Sequence, residues 1–145
     1  MRNHDDILNI VSQWIQKAEN DFKNAQHTLG MGADCPYDTI CFHAQQGAEK
    51  YIKALLSSLS VDFPKVHDIG RLIHLLPDRV KFPITVAEQE LMTSYAIITR
   101  YPGDEEPLAR ADAKRALSIA RKVRLSVRKH LLIQRLSAKL KNHKH

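Results

Sequence analysis

Along the middle of the chain, three pairs of side chains have the right types to grip an anion: Lys50 with Lys53, His67 with Asp68, and Arg100 with Tyr101. Lys50 and Lys53 are three apart, so on a helix they leave from neighbouring positions, and with Arg100 beside them they would form an anion site. Otherwise they are ordinary surface lysines. His67-Asp68 sets an imidazole next to a carboxylate, a pair that can bind a phosphate or a base or move a proton. The plainer reading is that Asp68 caps the helix that follows while His67 bonds its own loop. Arg100-Tyr101-Pro102 offers a guanidinium fork to phosphate with a ring beside it for stacking. Alternatively, Arg100 pairs with Glu49 or caps a helix C-terminus, and Tyr101 fills the end of the fold.

Other chemistries find little support. No Gly-rich phosphate loop and no Ser or Cys nucleophile with a neighbouring base is present. His43 and His74 have no second histidine at HxxxH spacing, and Cys35 and Cys41 are six apart without a second pair, so no metal site, redox motif or cofactor is expected. Reduced thiols fit a cytoplasmic chain. MRNHDDILNI is acidic where a signal peptide is basic, and no apolar run approaches the roughly 18 residues of a membrane span.

Positioning those groups is a task for helices. In CFHAQQGAEKYIKALL, Cys41, Ala44, Ala48, Tyr51, Ile52, Leu55 and Leu59 fall on one side, and His43, Gln46, Lys50 and Lys53 leave from others. Small residues at Ala44, Gly47 and Ala48 allow a second helix to come close. Gln45, Gln46, Glu49, Lys50 and Lys53 then crowd polar groups beside that contact, which costs desolvation unless they meet partners or a ligand.

Before this segment, residues 5–29 place Ile7, Val11, Trp14, Ala18, Phe22, Ala25 and Leu29 at helical steps, and Gly30, Gly32 and Pro36 end the helix, with Asp34 read as the next N-cap. After it, Pro64 forbids continuation, and a short helix opens at His67-Asp68 with Leu72, Ile73 and Leu76 inward until Pro77. A helix over 86–99 turns Leu91, Tyr95 and Ile98 inward, and RYPGDEEP interrupts with a Pro-Gly turn. The last helix starts near Pro107 and runs to about 141, with Ala113, Ala116, Leu117, Ala120, Val123, Val127 and Leu131 on one side. Lys114, Arg121, Arg128 and Arg135 line another, either as a solvated face or as a surface for RNA or an acidic partner. Trp14, Tyr51 and Tyr95 sit on apolar stripes and are expected in the core.

These elements describe one domain over residues 1–145, an all-α up-and-down bundle of about five helices, resembling a four-helix bundle with a basic helical extension from about 132. The 145 residues suffice to bury a core without disulfides or metal. The net charge of +6 is uneven: residues 1–107 carry 10 Lys/Arg against 15 Asp/Glu, and residues 108–145 carry 12 against one. A cationic tail of this kind meets nucleic acid, an acidic protein or the acidic body of a second copy. Past His130, Leu132, Ile133, Leu136 and Leu140 exceed what a free end needs, so this end is expected to pack on a partner or fray.

Trp14, Ala18 and Asp21, then FHAQQGAEKYIKALL, FPKVHDIGRLI, Tyr95 with RYPG and an Ala-rich last helix together resemble the HEPN domain family of prokaryotes, from about residue 11 to 131. The resemblance implies an α-helical bundle, homodimerisation and pairing with a minimal nucleotidyltransferase in toxin–antitoxin-like modules. It also implies, for many members, nucleotide binding or metal-independent RNase activity. The RNase branch carries Arg-x4-6-His with a polar residue after the arginine. Here Arg124 and His130 match, with Leu125 in the polar slot, and chance alone supplies about one to two such matches. Six residues along one helix also leave the two side chains roughly 120° apart.

The resulting expectation is a non-catalytic binding module for a nucleotide or a partner nucleotidyltransferase, using Lys50, Lys53, His67, Asp68, Arg100 and Tyr101. The alternatives are an RNase joining Arg124 and His130 across a dimer, and a purely structural partner protein.

Overall fold

The computed structural model describes residues 3–97 and 107–143, with the side chains of the last helix as far as 135. Among these residues there are five α-helices and no strand: α1 (His4–Leu29), α2 (Tyr37–Ser58), α3 (Ile69–His74), α4 (Val86–Ser94) and α5 (Arg110–His143). The long helices α1 and α5 both pack on α2, and the short α3 and α4 pack on each other and on α2. The expected all-α bundle is therefore built around its second helix.

Packing on so many sides explains why α2 is buried far beyond one stripe. Ile40, Cys41, Ala44, Ala48, Tyr51, Ile52, Leu55 and Leu56 are fully buried, and so are the polar Gln45 and, nearly, Glu49 and Lys53. Small residues set the closeness of approach. Phe22 of α1 lies over Gly47, where an added Cβ would come within 2.8 Å of its ring. On α5, Ala113, Ala116 and Ala120 are fully buried beside Leu117, Val123 and Val127, so the alternating small and large residues bring its backbone close to the hub. Cys35 and Cys41 are both buried thiols.

Each boundary has a local cause. Asn3 accepts a 2.8 Å bond from the Asp6 amide and opens α1. Asp34 does not cap α2: Pro36 holds the N-cap position without a side-chain bond, and its carbonyl takes the Thr39 amide at 3.2 Å. Asp34 stands two residues too early to reach the free amides. At the other end Ser60, at φ 57°, supplies the left-handed residue, with Ser60 N–H on the Ser57 carbonyl and Val61 N–H on that of Leu56. This is the Schellman closure with serine in the place glycine usually takes.

Asp68 caps α3 by accepting from the Arg71 amide at 3.0 Å, as expected. Thr85 and Glu88 form a reciprocal capping box at the start of α4. The Thr85 backbone N–H holds the Glu88 carboxyl below its ordinary value, and Lys122 at 3.5 Å adds to this. Helix α4 stops at Ser94 rather than continuing to 99, because the Tyr95 and Ala96 amides fall back on the carbonyls of Met92 and Thr93. Met92, absent from the expected inner face, is fully buried there, and Ile98 lies outside the described residues. Helix α5 begins at Arg110, three residues later than expected, where the Asp112 carboxylate reaches back to the Ala109 amide at 2.7 Å.

Trp14 also departs from expectation. It is only half-buried, at the mouth of a cleft between the start of α1 and the end of α2.

Substituting Gly47 by alanine sets a helix-propensity gain of about 1 kcal/mol against an overpacking cost of about 1–3 kcal/mol. Phe22 is only 3% exposed and meets Tyr51 edge-on, so its ring has little room to yield. We expect Gly47→Ala to lower the melting temperature by about 2–4 °C. An unchanged or raised melting point in a thermal scan would show that the α1–α2 contact is looser than described.

Candidate functional site

Two carboxylates are buried beside α2, one against α1 and one under the segment before α3. Asp21, on α1, is 6% exposed, and Glu49, on α2, is 2% exposed. Ionised carboxylates at such depth need compensation, or burial forces them to neutralise. Asp21 takes the Lys50 ammonium at 2.6 Å on one oxygen and His43 Nδ1 at 2.8 Å on the other. Glu49 takes Lys53 at 3.2 Å on one oxygen and His67 Nδ1 at 2.8 Å on the other, with the Gln45 amide also donating at 3.2 Å. Gln45 further donates to the His67 carbonyl at 3.3 Å and accepts from Gln46 at 2.7 Å, which ties the segment before α3 onto α2.

Because an ionised carboxylate only accepts, each imidazole must carry its proton on Nδ1, leaving Nε2 as the outward atom. His67 is the open one, its side chain 64% exposed, whereas His43 is 24% and Lys50 22% exposed. Lys50 and Lys53 supply one cation to each carboxylate.

Lys53 is the deepest cation. Its ammonium also lies 5.4 Å from the Trp14 ring centre and 5.8 Å from that of Phe63, which face each other edge-on at 6.1 Å. Lys17 approaches the same indole at 5.7 Å. These rings wall the cleft, about 660 Å³, whose polar lining includes Gln13, Ser57, Ser60 and Asp62. Trp14, Lys17 and Asp21 occur three and four residues apart on α1, so the cleft and the Asp21 carboxylate follow one face over about 10 Å.

Of the sequence-predicted residues, Lys53 and His67 meet at Glu49, whereas Lys50 pairs with Asp21 in a separate cluster. Lys53 is not a surface lysine, and His67 bonds α2 rather than its own loop. Asp68 is occupied as the α3 cap. Arg100 and Tyr101 lie outside the described residues. Asp21 and His43 are not among the expected members, whereas Gln45 and Glu49 are expected as polar groups beside the helix contact in need of partners or a ligand. The available signal was Gln45-Glu49-Lys53 at steps of four, with Glu49 adjoining the apolar stripe.

The Arg124–His130 pair is not brought together within the chain. Arg124 and Arg128 both bond Glu19 of α1, their guanidinium groups 5.4 Å from the Phe22 ring and 5.9 Å from that of Tyr51. Burial works against the Arg124 charge, but Glu19 and then Tyr51 outweigh it and raise the pKa. Neither the Tyr51 hydroxyl nor Arg124 Nε makes a bond of hydrogen-bond geometry, although the hydroxyl is close enough to favour that charge. His130 instead meets Phe82 edge-on at 6.4 Å, on a different side of α5. Arg128 is thus partly withdrawn from the expected cationic row. Among the described residues no group of His, Cys, Asp and Glu could hold a metal ion, and no helix is long and apolar enough to cross a membrane.

The HEPN domain sequence profile matches residues 11–130. The chain belongs to the HEPN domain family. Its fold resembles that of TT1696 from Thermus thermophilus, with a TM-score of 0.71 and 31% identity over 82% of this chain and 96% of that one. It also resembles ST0689, described as an archaeal HEPN homologue, with a TM-score of 0.60 and 24% identity over 83% of this chain and 96% of that one. No curated protein matches. In this HEPN domain the polar groups of the QQxxEKxxK segment are thus absorbed by two buried carboxylates.

Removing one partner of a buried ion pair costs about 3–5 kcal/mol, since the other charge stays buried and unpaired. Glu49→Gln should therefore destabilise the domain by about 3 kcal/mol. Adding Lys53→Met should recover at least half of that loss in urea unfolding. Additive effects of the two substitutions would show that the pair is not coupled.

Proposed function

We propose that this HEPN domain is a non-catalytic binding module that takes a nucleotide along the α1–α2 seam. The observation that carries the reading is that Trp14 and Lys17, which line the cleft with Phe63, lie on the same face of α1 as Asp21, which holds Lys50 and His43 of α2. A planar base fits against the two rings, where aromatic faces and edges favour stacking. Phosphates extending along α1 meet the Lys17 ammonium first and then the rim of Lys50 and His43. Since the seam lysines already have counter-charges, a phosphate gains by sharing them rather than by filling an empty anion hole. His67 Nε2 is the further open donor or acceptor, and Arg100 and Tyr101, outside the described residues, stay in the proposal as candidate ligand groups.

Family membership supports the wider setting, a toxin–antitoxin-like pairing with a minimal nucleotidyltransferase. It also supports a homodimer, to which Leu132 and Ile133, 57% and 48% exposed, would give apolar area. Ribonuclease action is disfavoured because Arg124 is engaged by Glu19 while His130 faces Phe82.

The single tryptophan provides the test. AMP or ATP added to the purified protein should quench Trp14 fluorescence with a saturable profile. Lys17→Ala should weaken the affinity about fivefold, the loss of one exposed charge-assisted contact of roughly 1 kcal/mol. No quenching and no heat of binding would end the nucleotide reading. Metal-independent RNA degradation abolished by His130→Ala would replace it with the enzyme.

A further inference from the structure

On the side of α5 away from the seam, the chain has a second concavity of about 530 Å³, between α5 and the segment joining α3 to α4. Among the described residues its charge is of one sign: Arg79 and Lys81 from the segment, Lys122 and Lys129 from α5, with no Asp or Glu in the lining. All four are exposed, and Lys122 alone has a carboxylate partner shown, Glu88 at 3.5 Å. Arg115, Lys122 and Lys129 are seven apart and exposed, so the same sign continues along the helix beyond the groove. Between the cations lies apolar and aromatic surface. Phe82 is half-buried against the core with His130 edge-on to it, and Leu125 is 69% exposed.

We infer that this groove binds a single-stranded nucleic acid. A row of exposed lysines and arginines, of which Lys122 shares Glu88, tracks a phosphate backbone, and rings between them give bases a face to stack on. An acidic peptide would use the cations but would leave Phe82 and His130 without a stacking partner. The cationic surface selected by the fold therefore differs from the row most visible in the sequence. Arg128 of that row faces Glu19, whereas Lys122 and Lys129 face the segment that delivers Arg79, Lys81 and Phe82.

The proposal is independent of the nucleotide seam. A labelled single-stranded RNA, and a DNA of the same sequence, should bind the full chain in fluorescence polarisation, and binding should weaken linearly in log–log plots against salt. Each phosphate contact contributes about 0.7 to that slope, so Lys81→Ala with Lys129→Ala should lower it by about 1.4. Phe82→Leu retains apolar packing but removes the ring, and should reduce affinity roughly tenfold with the slope unchanged. Lys23→Ala, at an exposed α1 lysine outside both sites, should leave this binding unchanged. Circular dichroism of each variant checks that the fold persists, and two-residue replacement by Ser on the α5 side alone, Lys122→Ser with Lys129→Ser, repeats the charge test without touching the segment. Absence of binding by either strand, indifference to the charge and ring variants, or equally tight binding of polyglutamate would each overturn the proposal.

Discussion

The structure depends on one constraint: a helix buried on several sides cannot leave an ionised carboxylate unpaired. In α2, Glu49 is 2% exposed, and Asp21 of α1, packed on another side of α2, is 6% exposed. The cost of burying each anion exceeds anything apolar packing nearby could return, so each must hold a cation at contact distance. That requirement fixes three things at once. It sets the rotation of α1 against α2 through Asp21–Lys50, and it pins the segment before α3 onto α2 through His67. It also draws Lys53 inward, where its stem and ammonium complete the wall behind Trp14 and Phe63. The ion pairs therefore specify the arrangement more than they stabilise it, since an apolar substitute of matched volume would pack comparably.

The same logic extends to α5. The chain separates charge by position, acidic up to 107 and strongly basic afterwards, and the fold partly closes this separation within the molecule. Glu19 receives both Arg124 and Arg128, and Glu88 receives Lys122. A continuous face of alanines allows the close approach that makes those pairings possible, because a bulkier stripe would hold the arginines away from α1. The guanidinium groups then lie against Phe22 and Tyr51, the rings that also limit what Gly47 can become.

The helical periods made the number of elements, their order and most of the core legible in the sequence. The α3 cap at Asp68 and the burial of Tyr51 and Tyr95 followed from residue type and spacing. What could not be read was the closeness of tertiary contact. A single stripe on α2 is the right expectation for a helix packed on one side, but four helices share this one, so Gln45, Glu49 and Lys53 went inside with it. Which lysines already hold a counter-charge is likewise a pairing fact, settled by Asp21, a residue 29 positions from Lys50. The Asp34 cap failed because a one- or two-residue offset decides which amides a side chain can reach. Trp14 looked like core because its period was right, and only the end of α2 shows that its ring lies at a cleft mouth.

Two surfaces with lysines thus come to differ in kind. On α2, Lys50 and Lys53 are held at 2.6 and 3.2 Å by carboxylates, so their electrostatic reach is short, and the proposed ligand would depend on shape, ring contact and directed hydrogen bonds. In the groove by α5, Arg79, Lys81 and Lys129 line a concavity without a carboxylate, so their field extends to about a Debye length and attracts any polyanion before fine contacts form. A compact ligand gains more in the first, where the rings of Trp14 and Phe63 offset the cost of ordering it. A long anionic chain gains more in the second, because counterion release grows with every phosphate it lays along the helix.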